Sequence, residues 1–388
     1  MTIKILHLCL CAPVTDGWAY QDNLLPKYHK FMGFDVTIVT SKWFWNSVGK
    51  LKIYDREEYE NEDGVKIIRL PMKGNENFNN RFKRFQNLDV TLETVSPDIL
   101  FIHGCQFLDM DCIAGYLKKH PNVRVYVDNH ADFVNSAKNW FSRIILHKII
   151  WRHCAHKIEP YTTKFYGVLP ARVDFLKDVY KLPPEKCELL VLGADDEIVK
   201  KVKTMNCRKT IREKYAIGED DMLVVTGGKI NRSRPEVLNL MEAVISLDNP
   251  KIKLLVFGNV EEKYKEKFDK LCESDKIIYV GWLKSADTYN YFEAADLVVF
   301  PGLHSVMWEQ AVAHGKACVF RDIEGFHHVD VGGNALFVKD VSADGLEKVI
   351  SELVDDKDKL KKMRSVAEER GMTVFSYADI ARRSINAE

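Results

Sequence analysis

The residues with the most chemical reach in this chain stand where apolar runs end. In "VVTGGKINRSRPE", Gly227 and Gly228 permit a tight turn, and Lys229 and Arg234 can then converge on one anion such as a diphosphate. The GxxxxGK[ST] spacing of a Walker loop is absent. Because Arg232 is charged too, a plain solvated basic loop is the alternative.

The stretch "PGLHSVMWEQAVAHGKACVF", residues 301–320, repeats the arrangement. An apolar strand stops at Pro301 and Gly302, a short loop carries His304 and Ser305, and a small-residue helix begins near Met307. The N–H groups and dipole at such a helix start suit a phosphate. Glu309, in the first turn, can cap the helix or accept hydrogen bonds from a ribose diol. Ala311, Ala313 and Gly315 allow tight helix packing. Two more strands end in "FGN" and "VGWL", where Gly258 and Gly281 mark close backbone approach. Trp282 and Leu283 could flank a flat ring, or be core.

The N-terminal half has its own strand ends. In "APVTDGWAYQDN", Gly17 lets backbone approach an anion, and Asp16, Trp18, Tyr20 and Gln21 offer polar and stacking contacts. The plainer alternative is a strand–helix loop capped by Asp16. "VYVDNHADF" ends in Asp128, Asn129, His130 and Asp132, and His130 there can donate to a phosphate or a sugar hydroxyl. His103 in "FIHG" is placed similarly.

These positions need a scaffold that brings strand ends together. Solidly apolar runs ("IKILHLCL", "FDVTIVTS", "DILFIHG", "MLVVTGGK", "IKLLVFGN", "DLVVFPG") alternate with helical patterns. That is an α/β chain with parallel sheets covered on both faces. The 388 residues suit two domains. The charged, proline-broken texture between about 170 and 220 places the boundary near 195. This gives a Rossmann-like domain over 1–194, a second Rossmann-like domain over 195–372, and a helix over 373–388 packing back on the first. In open α/β sheets ligands bind beyond the carboxyl ends of the strands, so two such domains would face each other across a cleft.

Bulk composition narrows the classes. With 46% hydrophobic residues a sizeable core is available, and a formal net charge of zero gives no reason to expect nucleic acid. The nine cysteines are scattered without a CxxC pair, which reads as reduced thiols in a cytosolic protein. No signal peptide or membrane-length apolar run stands out, so a soluble or surface-bound cytoplasmic protein is expected.

The ordered motifs carry a resemblance. The glycine loop near Gly17, "GGKINRSR", "FGN", "VGWL", "ADLVVFPG" and "WEQAVAHGKACV" together resemble the GT-B fold glycosyltransferases, in particular the large retaining family 4, over nearly the whole chain. "DGWAYQDNLLPKYHKFMGFDVTIVT" looks like the opening of a subgroup associated with bacterial surface polysaccharides. The resemblance implies a nucleotide-sugar donor, a UDP-sugar ahead of a GDP-sugar, held mainly by the C-terminal domain and serving as substrate, with no cofactor. It also implies that 1–194 is the acceptor domain and 195–372 the donor domain. Lys229 and Arg234 match the family's basic pair on the diphosphate. Glu309 matches the second of its two glutamates separated by seven residues, the one that binds the ribose. His130 falls where family members place a histidine near the donor sugar. His130, Lys229, Arg234 and Glu309 are thus the catalytic candidates. Gly17, Gly228, Gly258, Trp282, Leu283, His304, Ser305 and Met307 are the donor-binding ones, and Asp16, Trp18, Tyr20, Gln21 and Asp132 lie on the acceptor side.

One departure stands out: Pro301 occupies the place of the first glutamate, and no acidic residue lies between 301 and 308. That leaves His304 and Ser305 to meet the sugar. Fixed cations and a helix N-terminus can stabilise charge on the leaving phosphate without a metal, so a metal-free site is expected. Retention of configuration, with attack assisted by the leaving phosphate, follows from the family. The acceptor, a saccharide or lipid-linked saccharide, has one clue: "KNWFSRIILHKIIWRHCAHK" is basic, aromatic and roughly amphipathic, which suits an anionic membrane surface. Alternatives are a nucleotide-sugar epimerase of the same fold, an inactive nucleotide-sugar-binding partner subunit, and an NAD-dependent enzyme. The last is weakest, because no GxGxxG follows the first strand.

Overall fold

The computed structural model describes residues 2–46, 50–74, 82–232 and 234–386. The chain divides into two units. The first runs to Leu192 and takes back the segment from Tyr377, and the second is Gly193–Ser376.

In the first unit the strands are β1 (Lys4–Cys9), β2 (Asp35–Ser41), β3 (Trp43–Trp45), β4 (Leu51–Ile53), β5 (Glu58–Glu60), β6 (Lys66–Leu70), β7 (Ile99–His103), β8 (Arg124–Asn129), β9 (Thr162–Gly167) and β10 (Cys187–Leu189). β3 and β4 form a small hairpin. The others make one sheet in the order β10-β9-β8-β7-β1-β2-β6-β5, parallel except for the β5 edge. Its strands are covered on both faces: Ile5, Leu6 and Leu8 of β1 and Ile99 to Ile102 of β7 are all buried. The order reverses between β1 and β7, so their carboxyl ends flank a crevice.

The second unit contains β11 (Met222–Gly227), β12 (Ile252–Phe257), β13 (Ile277–Tyr279), β14 (Leu297–Phe300), β15 (Cys318–Arg321) and β16 (Ala335–Val338). All pairs are parallel, in the order β13-β12-β11-β14-β15-β16. Renumbered from its own first strand this is 3-2-1-4-5-6, the doubly wound dinucleotide-fold order. The reversal lies between β11 and β14, where Val224 pairs with Leu297.

The helix Lys357–Phe375 stays with the second unit. Gly371 and Gly315 explain why. A Cβ on Gly371 would sit 2.1 Å from the carbonyl oxygen of Val312, and one on Gly315 would sit 2.8 Å from Cγ of Glu368. The helix therefore lies backbone-close on Met307–Ala313. The chain crosses back only after it. The helix Tyr377–Ser384 then packs in the first unit, where Tyr377 stacks on Tyr28 at 6.4 Å and Tyr126 donates to the carbonyl of Ile385 at 3.0 Å. All nine cysteines are thiols, six of them buried.

Candidate functional site

In the second unit the crevice between β11 and β14 is built by glycines in close contact. Gly228 (φ +116°) and Gly258 (φ +120°) both need the left-handed region. A Cβ on Gly258 would fall 1.9 Å from the carbonyl oxygen of Gly228, so the loops after β11 and β12 touch through backbone. Gly228 N–H donates to Phe257 and Gly258 N–H to Gly281, locking three successive strand ends together. Met307 reaches in from the far side, 3.0 Å from a Cβ position on Gly228.

The two cations expected on one anion are used differently. Arg234 turns under the neighbouring loop, where its Nε and Nη2 donate to the carbonyls of Leu303 and His304, each at 3.0 Å. Gly302 makes room, since a Cβ there would be 2.9 Å from Arg234 Cγ. Arg234 thus braces the loop after β14. Lys229 is exposed and has no ion-pair partner among the described residues.

Glu309 is likewise engaged. Its carboxylate is fully buried. His304 Nε2 lies 2.8 Å from Oε1 and 3.1 Å from Oε2, and His328 Nε2 lies 2.8 Å from Oε1. Burial raises the carboxyl pKa, but His304 and His328 outweigh it and hold the group at about 2. Glu309 is therefore closed by two imidazoles and does not present both oxygens to a diol. The donor set, two histidines and a carboxylate within 4.8 Å of one another, is of a kind that can hold a metal ion, but each contact here is already a satisfied hydrogen bond. His328 was not expected from the sequence; "FHHVD" beyond β15 is the signal that could have found it. Ser305 accepts from Trp308 N–H through its carbonyl at 2.9 Å, and Trp282 is 42% exposed beyond β13 with Leu283 half-buried beside it.

In the first unit, β1, β7 and β8 gather a second polar cluster. Asp128 is buried, and its Oδ2 meets His103 Nδ1 at 2.8 Å, Gln21 Nε2 at 3.0 Å and His130 Nε2 at 3.3 Å. Burial opposes the Asp128 charge, while His103 and then His130 hold its carboxyl well below the usual range. His130 keeps 41% of its side chain exposed, with Nε2 turned inward. Gln21 is 2% exposed and supports Asp128 from behind.

Other acceptor-side candidates are spread around the same strand ends. Asp132 is taken up internally: Arg172 Nε donates to it at 2.9 Å, and Val134 and Asn135 N–H donate to Oδ1. Its role is to brace a turn. Asp16 accepts from Tyr59 Oη at 2.8 Å, and Tyr59 in turn accepts from the buried Arg69. Gly17 (φ +74°) follows, and Trp18 packs edge-on to the exposed Tyr20 at 5.3 Å.

With this geometry in place, comparison with known proteins places the fold. The family model for glycosyl transferases group 1 matches residues 208–370, within the second unit. No curated protein matches the chain at the sequence level. Among solved structures, the chain is similar to a glycosyltransferase from Rickettsia africae (15% identity, 99% of this chain and 97% of that one, TM-score 0.71). It is also similar to HepE of Anabaena in complex with UDP-glucose (13% identity, 99% and 98%, TM-score 0.68). A third likeness is to a protein assigned as a UDP-N-acetylglucosamine 2-epimerase from Listeria monocytogenes (14% identity, 99% and 95%, TM-score 0.64). The fold is that of the GT-B glycosyltransferases, with two Rossmann-like parallel-sheet domains.

Proposed function

We propose that this chain is a glycosyltransferase that moves a sugar from a nucleotide-sugar donor to an acceptor hydroxyl. The observation that carries the reading is a coincidence in the second unit. The group 1 match covers the β11–β14 switch point, where the Gly228–Gly258 backbone contact opens next to exposed Lys229. An exposed lysine there suits the diphosphate of a leaving nucleotide. The similar HepE structure holds UDP-glucose, which supports a UDP-sugar ahead of a GDP-sugar.

The finer assignment is a retaining, metal-independent enzyme of family 4 type. The exposed Lys229 supports charge stabilisation by the protein itself. His130 is the first-unit group for the donor sugar. An inverted product anomer by NMR would contradict retention.

The acceptor side of the reading is a saccharide or lipid-linked saccharide, with peripheral membrane contact and a role in polysaccharide or glycolipid synthesis. Among the described residues no helix is long and apolar enough to cross a membrane. Residues 138–157 fold as an i→i+5 helix over Ser142–Trp151 continuing into Arg152–Ile158. Leu146, Trp151, Ala155 and Ile158 face the core, while Trp140, Phe141 and Ile149 are exposed.

The first test is thermal stabilisation by UDP, GDP, ADP and CMP and then by their sugars, since selective binding to the native state raises the melting temperature. A shift with one nucleotide, followed by turnover of one of its sugars with an acceptor, is the expected result. Binding without turnover of any donor would favour an inactive partner subunit, a reading that the closed Glu309 carboxylate supports. Epimer formation without acceptor would favour an epimerase, which the Listeria likeness supports.

A further inference from the structure

Three histidines of the first unit form a continuous buried line. His29, in the helix Gln21–Phe31, and His7, in β1, are fully buried, and His103 at the end of β7 is 3% exposed. His29 Nε2 lies 3.0 Å from the carbonyl oxygen of Ala381. His29 Nδ1 lies 3.0 Å from His7 Nε2, and His7 Nδ1 lies 3.0 Å from His103 Nε2. His103 Nδ1 then faces Asp128 Oδ2 at 2.8 Å and Asp22 Oδ1 at 3.2 Å.

The carbonyl gives this line a direction, because it can only accept. His29 Nε2 must carry a proton and donate it to Ala381. The Ser384 hydroxyl, 3.0 Å from the same nitrogen, already gives its own proton to Ala381 and offers only a lone pair. In neutral His29 the other nitrogen accepts, so His7 donates through Nε2. Neutral His7 in turn accepts from His103 Nε2–H. His103 has then committed one proton to His7 and meets two carboxylates with its other nitrogen. A lone pair there would oppose both, so Nδ1 is protonated as well.

The electrostatic environment agrees. Burial holds His29 at about 4 and His7 well below its ordinary value. The charged or titratable groups facing His103 are His7 and Cys9 of β1, Asp22 of the helix and Asp128 of β8. Burial works against a charge on His103, yet its surroundings hold it well above its ordinary value, with Asp128 and Asp22 both favouring the charge. Burial keeps the Cys9 thiol neutral up to about 12, so the two carboxylates supply the field.

We propose that His7 and His29 are positioning residues: they pass the polarity of the Ala381 carbonyl down the line and hold His103 as an imidazolium, which keeps Asp128 ionised behind His130. His130 then lies with Nε2 3.3 Å from Asp128 and with 41% of its side chain exposed. Only the identity of what His130 touches rests on the transferase reading.

The test is long-range ¹H–¹⁵N spectroscopy of the full chain labelled at histidine, from about pH 5.5 to 8.5, with single His→Gln variants for assignment. His7 and His29 should appear as neutral Nε2–H tautomers, and His103 should be doubly protonated throughout. A neutral His103, or an Nδ1–H tautomer at His7 or His29, overturns the proposal. His29→Gln keeps a donor for Ala381 and an acceptor for His7, whereas His29→Met keeps bulk and neither. His103 should stay charged across the range in His29→Gln and lose its proton within it in His29→Met. Identical titration in the two variants overturns the line's role. Should His29→Met not fold, the unsubstituted protein's spectra still decide. No substrate enters these measurements, so their outcome is separate from whether any donor is turned over.

Discussion

His328 Nε2 and His304 Nε2 each lie 2.8 Å from the same oxygen of Glu309, a carboxylate with no exposure to solvent. Two imidazoles do here what water does for a surface acid. Burial would raise this carboxyl; His304 and His328 bring it to about 2, below its ordinary 4.5. A lowered folded pKa contributes stability that is fully present above the unfolded value and is lost as pH falls towards the folded one. The gap corresponds to roughly 3 kcal/mol. Urea unfolding between neutral pH and about pH 2.5 should show this loss in the unsubstituted protein. Glu309→Gln should be weaker by on the order of 3 kcal/mol at neutral pH and lose less below pH 4.5. Parallel acid loss in both proteins would mean the histidine clamp does not hold the charge.

The glycine contact beneath the proposed diphosphate site gives a paired test. Gly258 and Gly281 both have φ in the left-handed region, at +120° and +77°. A Cβ on Gly258 meets the Gly228 carbonyl at 1.9 Å, whereas one on Gly281 meets nothing within 4 Å. Gly281→Ala should therefore cost only the backbone term, about 1 kcal/mol. Gly258→Ala must also push two loops apart and should cost roughly 3 kcal/mol or more. Equal losses in urea unfolding would show that the loops yield easily.

These contrasts mark what the sequence could convey. Strands such as "DLVVFPG" and "IKLLVFGN" were legible because a doubly covered parallel strand is apolar throughout. The loops after them were legible because glycine followed by a cation or polar group is unusual there. Partnership across the fold was not. His7 sits in "KILHLC", where a single histidine reads as a strand residue, and its partners lie 22 and 96 positions away. Asp132 looked like a ligand at a strand end, but Arg172 is 40 positions on. Arg234 looked like an anion-binding group, yet the carbonyls that hold it are 69 and 70 positions away. Side-chain type and strand-end position are local; which partner saturates a charge is decided by the packing of distant loops.

Lys229 and Arg234 should accordingly behave differently. Lys229 is exposed, so Lys229→Ala should leave the ligand-free protein within about 0.5 kcal/mol of its original stability. If it meets a diphosphate, the loss of one charge-assisted hydrogen bond should weaken nucleotide binding about ten- to a hundredfold. Arg234→Ala removes donors from the Leu303 and His304 carbonyls and should lower the melting temperature without any ligand. Calorimetric titration with the nucleotide that stabilises the protein, beside melts of both variants, separates the two roles. Unchanged affinity in Lys229→Ala would remove Lys229 from the site.

The outer surface of residues 138–157 makes the last prediction. Trp140 is 71% exposed, Ile149 55% and Phe141 48%. The charged side chains of the segment are Lys138, Arg143, Lys148, Arg152 and Lys157, and no Asp or Glu occurs between Phe133 and Ile158. Exposed aromatics among cations match an interface with apolar chains on one side and anionic headgroups on the other. Each basic side chain near such a surface adds about 1 kcal/mol, screened by salt. The protein should therefore sediment with vesicles of phosphatidylcholine and phosphatidylglycerol at low salt. Binding should fall at high salt and without the anionic lipid. Trp140→Ser with Phe141→Ser should weaken binding while leaving nucleotide stabilisation unchanged, because Leu146, Trp151 and Ile158 anchor the inner side. No sedimentation even at low salt would rule out a lipid surface as the partner of this patch.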